Sequence, residues 1–279
     1  MGLDRRMTYD ARGLNLVVRE IVAFFRGVVG NNFTVESLTV FLPTLILWEL
    51  LPRLDVVPAA LVPPPSQVAA AFADLAANHD LAAHIAASML RFALGFGIAV
   101  AIAVPIGTLM GWNQFVRRHA LPLFQMLAPI PPPAWVPLVI ILLGIGLPMQ
   151  VFLVFLGAFY PALFNTYQGV KDTDPRYIAS ARAFGASEFT LITRVYLPHA
   201  LGFVVMGGKL GIALGLVMLV VSEMVGAHSG LGWLLIESKD FFRIDRMVVA
   251  MLVLGFIGWL LIEIMKYVEA KLAVWKVGR

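Results

Sequence analysis

Six stretches of this chain stay apolar for roughly twenty residues, the length a helix needs to cross about 30 Å of hydrocarbon. They run approximately Thr34–Leu51, Leu90–Trp112, Ala120–Leu143, Met149–Gly169, His199–Val221 and Met247–Tyr267. The first is the weakest, being short and carrying Glu49. With 60% hydrophobic and 14% charged residues, the 279-residue chain has too little polar surface to coat a soluble globule. A bilayer must supply the missing solvent, and the expected fold class is an all-α multi-pass membrane protein of about six transmembrane helices.

The net charge of +4 does not point to nucleic acid, because the basic residues sit between the apolar runs and form no single patch. Membrane topology accounts for them better. Arg5, Arg6, Arg12, Arg19 and Arg26, the pair Arg117 and Arg118, then Lys171, Arg176, Arg182 and Arg194, and finally Lys266, Lys271, Lys276 and Arg279 fall on one side of a six-span arrangement. By the excess of cations on the cytoplasmic side, both termini are expected in the cytoplasm. The mixed cluster Lys239, Asp240, Arg243, Asp245 and Arg246 falls outside. No cleavable signal pattern follows the first arginines, so the N-terminus is expected to be retained. The chain has no cysteine and therefore no disulfide or thiolate metal site. Its five histidines, His79, His84, His119, His199 and His228, show no ligand-like spacing.

These features suggest four regions. Residues 1–33 form a cytoplasmic N-terminus, in which "RGLNLVVREIVAFFRGVV" places Leu14, Val17, Val18, Ile21, Phe24, Phe25 and Val28 on one helical face and Arg12, Arg19 and Arg26 on the other. Such a helix lies in the membrane interface or packs on the protein's own helices. Residues 34–84 hold the first span and an external loop, where Pro63–Pro65 break the chain and Ser66 can cap an Ala-rich helix. Residues 85–270 form the main transmembrane domain, and 271–279 a cytoplasmic tail.

One polar stretch, "DTDPRYIASARAFGASEFTLITRVYLPHA", interrupts the apolar sequence between the fourth and fifth spans. Asp174 followed by Pro175 is an N-cap with proline at the first helical position, and Gly185 is a left-handed stop about three turns later. Ser187 can cap a second helix through Tyr196, which Pro198 separates from the next span. The first arm carries the small residues Ala179, Ser180, Ala181 and Ala183, which let another surface approach the backbone. Two readings follow: an elbow that docks into another subunit, or a loop helix resting on the bilayer.

Inside the membrane, Pro129, Pro131, Pro132, Pro133 and Pro137 crowd the third span, and each removes a backbone donor. Non-helical backbone at that depth belongs inside protein or along a wet cavity, although a kink for packing is the plainer account. Lys209 lies about eleven residues into the fifth span, where a charge is costly. It is either a contact on the translocation pathway, or it snorkels or pairs with Glu223 or Glu49 for structure. Glu223, at the outer end of that span, fits a gate or a loop anchor.

The segment "ASARAFGASEFTLITRVYLP" resembles the cytoplasmic signature of binding-protein-dependent ABC importer permeases: Glu-Ala-Ala, three residues, Gly, nine residues, Ile, one residue, Leu-Pro. Ala181, Gly185, Leu197 and Pro198 match, Val195 replaces the Ile, and Ala179 and Ser180 stand where the family has Glu and Ala. "LVPPPSQV", "HIAASMLRFALGFG", "PIPPPAWVPLVIILLGIG", "VKDTDP", "GGKLGIALG", "SEMVGAHSGLG" and "FFRIDRMVVAMLVLG" resemble the nitrate/sulfonate/taurine/bicarbonate branch, in order over about residues 60–270. The resemblance implies a type I ABC importer permease fold and a subunit that works as a pair in the bacterial cytoplasmic (inner) membrane. It implies two cytoplasmic ATP-binding subunits and an external substrate-binding protein, with a small anion as solute. The elbow becomes the coupling helix, with Ala179, Ser180, Ala181, Arg182, Phe184, Gly185, Ala186, Leu197 and Pro198 as its docking residues. Lys209, Glu223, Pro131, Pro132 and Pro133 become pathway candidates.

No G-x-x-x-x-G-K-[ST] loop is present, so ATP is expected on the partners and no cofactor on this chain. The reading from a different class is a secondary transporter or channel driven by an ion gradient. An intramembrane enzyme fits poorly, since there is no H-E-x-x-H motif and the serines have no base at membrane depth.

Overall fold

The computed structural model describes residues 35–272. The amphipathic segment expected within residues 1–33 and most of the tail 271–279 lie outside the described residues. The chain divides into two compact units, Met1–Ser66 and Gln67–Arg279.

In the first unit, helix α1 (Val35–Arg53) contains Pro43 and Pro52. The loop after it folds back so that the Trp48 indole donates to the Pro63 carbonyl at 3.1 Å. Helix α2 (Pro65–Ala77) starts one residue before Ser66, so Ser66 does not cap it. Proline at the first helical position needs no amide partner. The Ser66 amide instead donates to the Glu49 carboxylate at 3.0 Å, and the Ser66 hydroxyl donates to the same carboxylate at 2.8 Å. Glu49 thus caps α2 from outside, and it is tied to Arg53 and not to Lys209.

In the second unit, α3 (Asp80–Trp112) begins ten residues before the expected span. Asn113 then caps α4 (Gln114–Leu127) by accepting from the amides of Phe115 and Val116. The third expected span is not one straight helix. After Leu127 the chain breaks, makes a 3₁₀ turn over Pro132–Trp135 and resumes as α5 (Val136–Leu143), with 87° between the two halves. Consecutive prolines cannot donate to the preceding turn, and that turns the chain here.

Gly144 and Gly146, both at positive φ, lead into α6 (Leu147–Lys171). The polar elbow follows as α7 (Pro175–Ala183) and α8 (Glu188–Leu191). Next comes α9 (Leu197–Gly226), then α10 (Leu231–Asp240) and α11 (Ile244–Leu272). Pro198 does not separate the elbow from the span, contrary to the expectation. A π-helical turn over Ile192–Tyr196 absorbs the missing proline donor, so Glu188 to Gly226 runs as one 39-residue helix. Among the described residues, four helices are long and apolar enough to span a membrane, or five if the bent pair is one span.

The core is the trio α3, α6 and α9, and it is held by small residues. A β-carbon on Gly157 of α6 would lie 2.7 Å from the Leu214 carbonyl oxygen of α9, and one on Gly107 of α3 would lie 2.8 Å from the Leu163 carbonyl oxygen of α6. A β-carbon on Gly207 of α9 would lie 2.9 Å from the Pro161 carbonyl oxygen. In lipid there is no hydrophobic drive between helices, so backbone approach of this kind is what gains packing contacts. Around these contacts Phe92, Val154, Ile212 and Leu219 form one buried cluster, and Met149, Leu153 and Met218 another.

Candidate functional site

Two polar assemblies stand at opposite ends of the trio. The first is the elbow. Asp174 caps α7 by accepting from the Arg176 amide at 2.8 Å, and its carboxylate also receives the Arg176 guanidinium at 2.7 Å. Those Arg176 bonds hold the Asp174 carboxyl below the usual carboxylate range. At the corner, the Ala186 amide donates to the Ala181 carbonyl at 3.0 Å and the Gly185 amide to the Arg182 carbonyl at 2.9 Å, with Gly185 at φ +78°. This is the Schellman arrangement that ends a helix through a left-handed glycine.

Ser187 caps the next turn by accepting from the Thr190 amide. Glu188 then closes the corner: one oxygen accepts from Arg182 at 2.9 Å and the other from the Trp112 indole at the end of α3 at 3.1 Å. The inner side of the elbow is packed. Ile178, Ala181 and Ala186 lie against the buried cluster of Val170, Leu191, Tyr196 and Ala200. The outer side is bare: Phe184 is 93% exposed, Phe189 and Tyr177 are largely exposed, and Ala179, Ser180, Arg182 and Ala183 lie beside them. Leu197 and Pro198 are half-buried in the continuing helix.

The second assembly occupies the far end, where α3 begins and α9 ends. Glu223 is completely buried. Its carboxylate accepts from Ser88 Oγ at 2.8 Å, from Arg91 Nη1 at 2.7 Å and from the Gly232 amide at 2.8 Å. Arg91 also donates to the Ser229 carbonyl at 2.7 Å and to its hydroxyl at 3.1 Å. Ser88 Oγ accepts the Leu231 amide, and His84 Nδ1 accepts the Gly230 amide at 3.1 Å while its ring stacks on Trp233. Gly230, at φ +117°, leaves no room for a β-carbon, which would meet the Glu223 carboxylate and lie 2.6 Å from Arg91 Nη1.

Glu223 therefore anchors the turn between α9 and α10. Sequence reasoning singled it out but missed its partners. The available signal was the spacing of His84, Ser88 and Arg91, which puts three polar groups on one face of an otherwise apolar helix.

Lys209 has a partner other than those expected: its ammonium lies 2.9 Å from Glu269 of α11, since Glu223 is taken by Arg91 and Glu49 by Ser66 and Arg53. Pro131 and Pro133 are exposed at the broken span and Pro132 is half-buried. Among the described residues, no group of three or more His, Cys, Asp or Glu side chains could hold a metal ion.

Residues 103–273 match the family model described as binding-protein-dependent transport system inner membrane component. The chain is 30% identical over 236 residues to the taurine transport system permease protein TauC of Escherichia coli (strain K12), covering 83% of this chain and 86% of that protein. It is 28% identical over 193 residues to the nitrate import permease protein NrtB of Synechocystis sp., covering 69% and 70%. The fold matches a chain of the inward-facing MetNI methionine ABC transporter with a TM-score of 0.58 at 19% identity, covering 66% of this chain and 92% of that one. The chain belongs to the binding-protein-dependent inner membrane components of ABC importers, in the branch that includes sulfonate, taurine and nitrate permeases, and is a transport subunit rather than an enzyme.

Proposed function

We propose that two copies of this chain form the translocation pathway of an ATP-driven importer for a small anion: nitrate, a sulfonate such as taurine, bicarbonate or a related organic anion. Two cytoplasmic ATP-binding subunits dock on the elbow, and an external binding protein delivers the solute. The relatives' substrates support the solute class. Both termini then lie in the cytoplasm with the elbow, and residues 85–270 form the permease core. The exposed prolines at 131–133 border the pathway where the third span is broken. The Lys209–Glu269 pair favours a structural role for Lys209 over a substrate contact.

The observation that carries the reading is the elbow's division into a packed inner side and a bare aromatic outer side. Exposed aromatics on a rigid corner beside small residues make a knob for a cleft in another protein. A secondary carrier has no use for such a part. Where Ala179 replaces the acidic residue of the family pattern, Glu188 holds Arg182 and Trp112 from the other arm.

Gly185 tests the proposal. A β-carbon there would meet nothing within 4 Å, so substitution acts only through the left-handed backbone, at about 1–2 kcal/mol. Gly185→Val is expected to insert and assemble yet uncouple ATP hydrolysis from uptake, while Gly185→Asn, which tolerates this backbone, retains coupling. Full coupled transport by the valine variant would remove the elbow from the mechanism.

A further inference from the structure

At the end of the trio opposite the elbow, α10, the turn after it and the start of α11 border an open pocket of about 300 Å³ lined by Glu237, Ser238, Phe241, Arg243 and Arg246. Two polar groups of these residues are buried in its wall without a partner among the described residues: the Ser238 hydroxyl, on a residue 3% exposed, and the Arg246 Nε–H. Arg246 makes no ion pair among the described residues, whereas Arg243 is held by Asp245 at 3.4 Å. Buried donors almost always find an acceptor, and a guanidinium whose Nε–H has none among the described residues is set up to receive one from outside.

We infer that this pocket is a binding site for a small monoanionic oxyanion, held by the Arg246 guanidinium and the Ser238 hydroxyl. The planar guanidinium fork matches two oxygens of a nitrate, carboxylate or sulfonate group, and the serine hydroxyl supplies a further donor. Glu237 on the same lining sets the charge. With Arg243 held by Asp245, Arg246 is the lining cation without an ion pair among the described residues and it faces one carboxylate, so a second negative charge on the ligand would meet repulsion. Phe241 gives the ligand's carbon side an apolar wall. The inference rests on the reading of the chain as an anion importer, and it places a receiving site on the face where solute arrives.

The test uses the full complex, with its ATP-binding subunits, in lipid nanodiscs. Nitrate and methanesulfonate are the probes, with sulfate as the dianion and methanesulfonamide as the neutral isostere, each read by saturable thermal stabilisation. The two monoanions should stabilise the wild type, sulfate less, and the amide not at all. Arg246→Gln should raise the half-saturating concentration about tenfold or more, and Ser238→Ala about threefold, as lost charge-assisted and neutral hydrogen bonds do. Glu237→Gln should improve sulfate relative to nitrate.

Unchanged half-saturation in both donor variants, or stabilisation by the amide equal to that by methanesulfonate, would overturn the site. If Arg246→Gln fails to assemble, Arg246→Lys and Ser238→Ala decide in its place. Uptake separates this inference from the broader reading. Anion uptake that Arg246→Gln leaves intact removes the site and keeps the importer, whereas wild-type uptake confined to uncharged solutes removes the importer's assigned substrate class.

Discussion

Removing Arg91 while keeping Glu223 should be among the most damaging single changes available in this chain. Glu223 is fully buried, and Arg91 is its only cationic partner among the described residues. In Arg91→Met the carboxylate keeps three neutral contacts, two from Ser88 and one from the Gly232 amide, but loses its countercharge. Stranding a buried charge costs about 3–5 kcal/mol. Over a chain of this size that corresponds to a fall in unfolding midpoint on the order of 10 °C.

Glu223→Gln should cost less, about 1–3 kcal/mol, because its side-chain oxygen can still accept the Gly232 amide and Arg91 keeps both Ser229 acceptors. The double variant Arg91→Met with Glu223→Met replaces the pair by apolar groups and should recover at least about 2 kcal/mol of the summed loss. The assay is thermal unfolding of the detergent-purified complex, read by the fraction surviving size exclusion, alongside the amount in membranes. If Arg91→Met unfolded within a degree or two of wild type, or the double variant were worse than the sum of the singles, the network would not be the anchor described.

Three further outcomes follow. Gly157→Ala should separate α6 from α9 and destabilise by about 1–3 kcal/mol, since its methyl meets the Leu214 carbonyl, while Gly97→Ala, which faces open space, should be silent in the same melt. Lys209→Met should lower the amount of assembled complex, and adding Glu269→Leu should restore it together with uptake; normal assembly with lost uptake would return Lys209 to the pathway. Because the Asp174 carboxyl is depressed by Arg176, its contribution to the elbow is present above the unfolded carboxylate range of about pH 4 and is lost only as pH falls below it. Protease sensitivity of the elbow should therefore be flat from pH 5 to 8 and rise in stronger acid, and Asp174→Asn, which can still cap, should abolish that acid response.

The elbow was legible residue by residue because its signals are local: a cap, a proline, a left-handed glycine and a second cap each act within a few positions. The outer network was not, because Ser88 and Glu223 are 135 residues apart and only the tertiary fold brings them together. Ser66 misled because two routes to capping compete, and the distant Glu49 carboxylate won over the local hydroxyl. Pro198 misled in a different way. Proline breaks an α-helix by removing one donor, yet a wider turn just before it accommodates the loss, and no local rule announces which will happen.

Under the coupling proposed above, that wider turn decides how force passes through the molecule. Had the helix ended at Pro198, the elbow would hang on a hinge, and movement at the corner would dissipate in a few flexible residues. Instead one rod of 39 residues, about 55–60 Å at helical rise, runs from Glu188 to the turn anchored by Glu223. Glycine-tight seams fix α6 along its flank and α3 to α6. A tilt of about 5° of the rod as a rigid body would displace its far end by about 5 Å. In the importer proposed above, this rod serves as a stiff crankshaft with its bearings at the broken third span and at the boundary between copies.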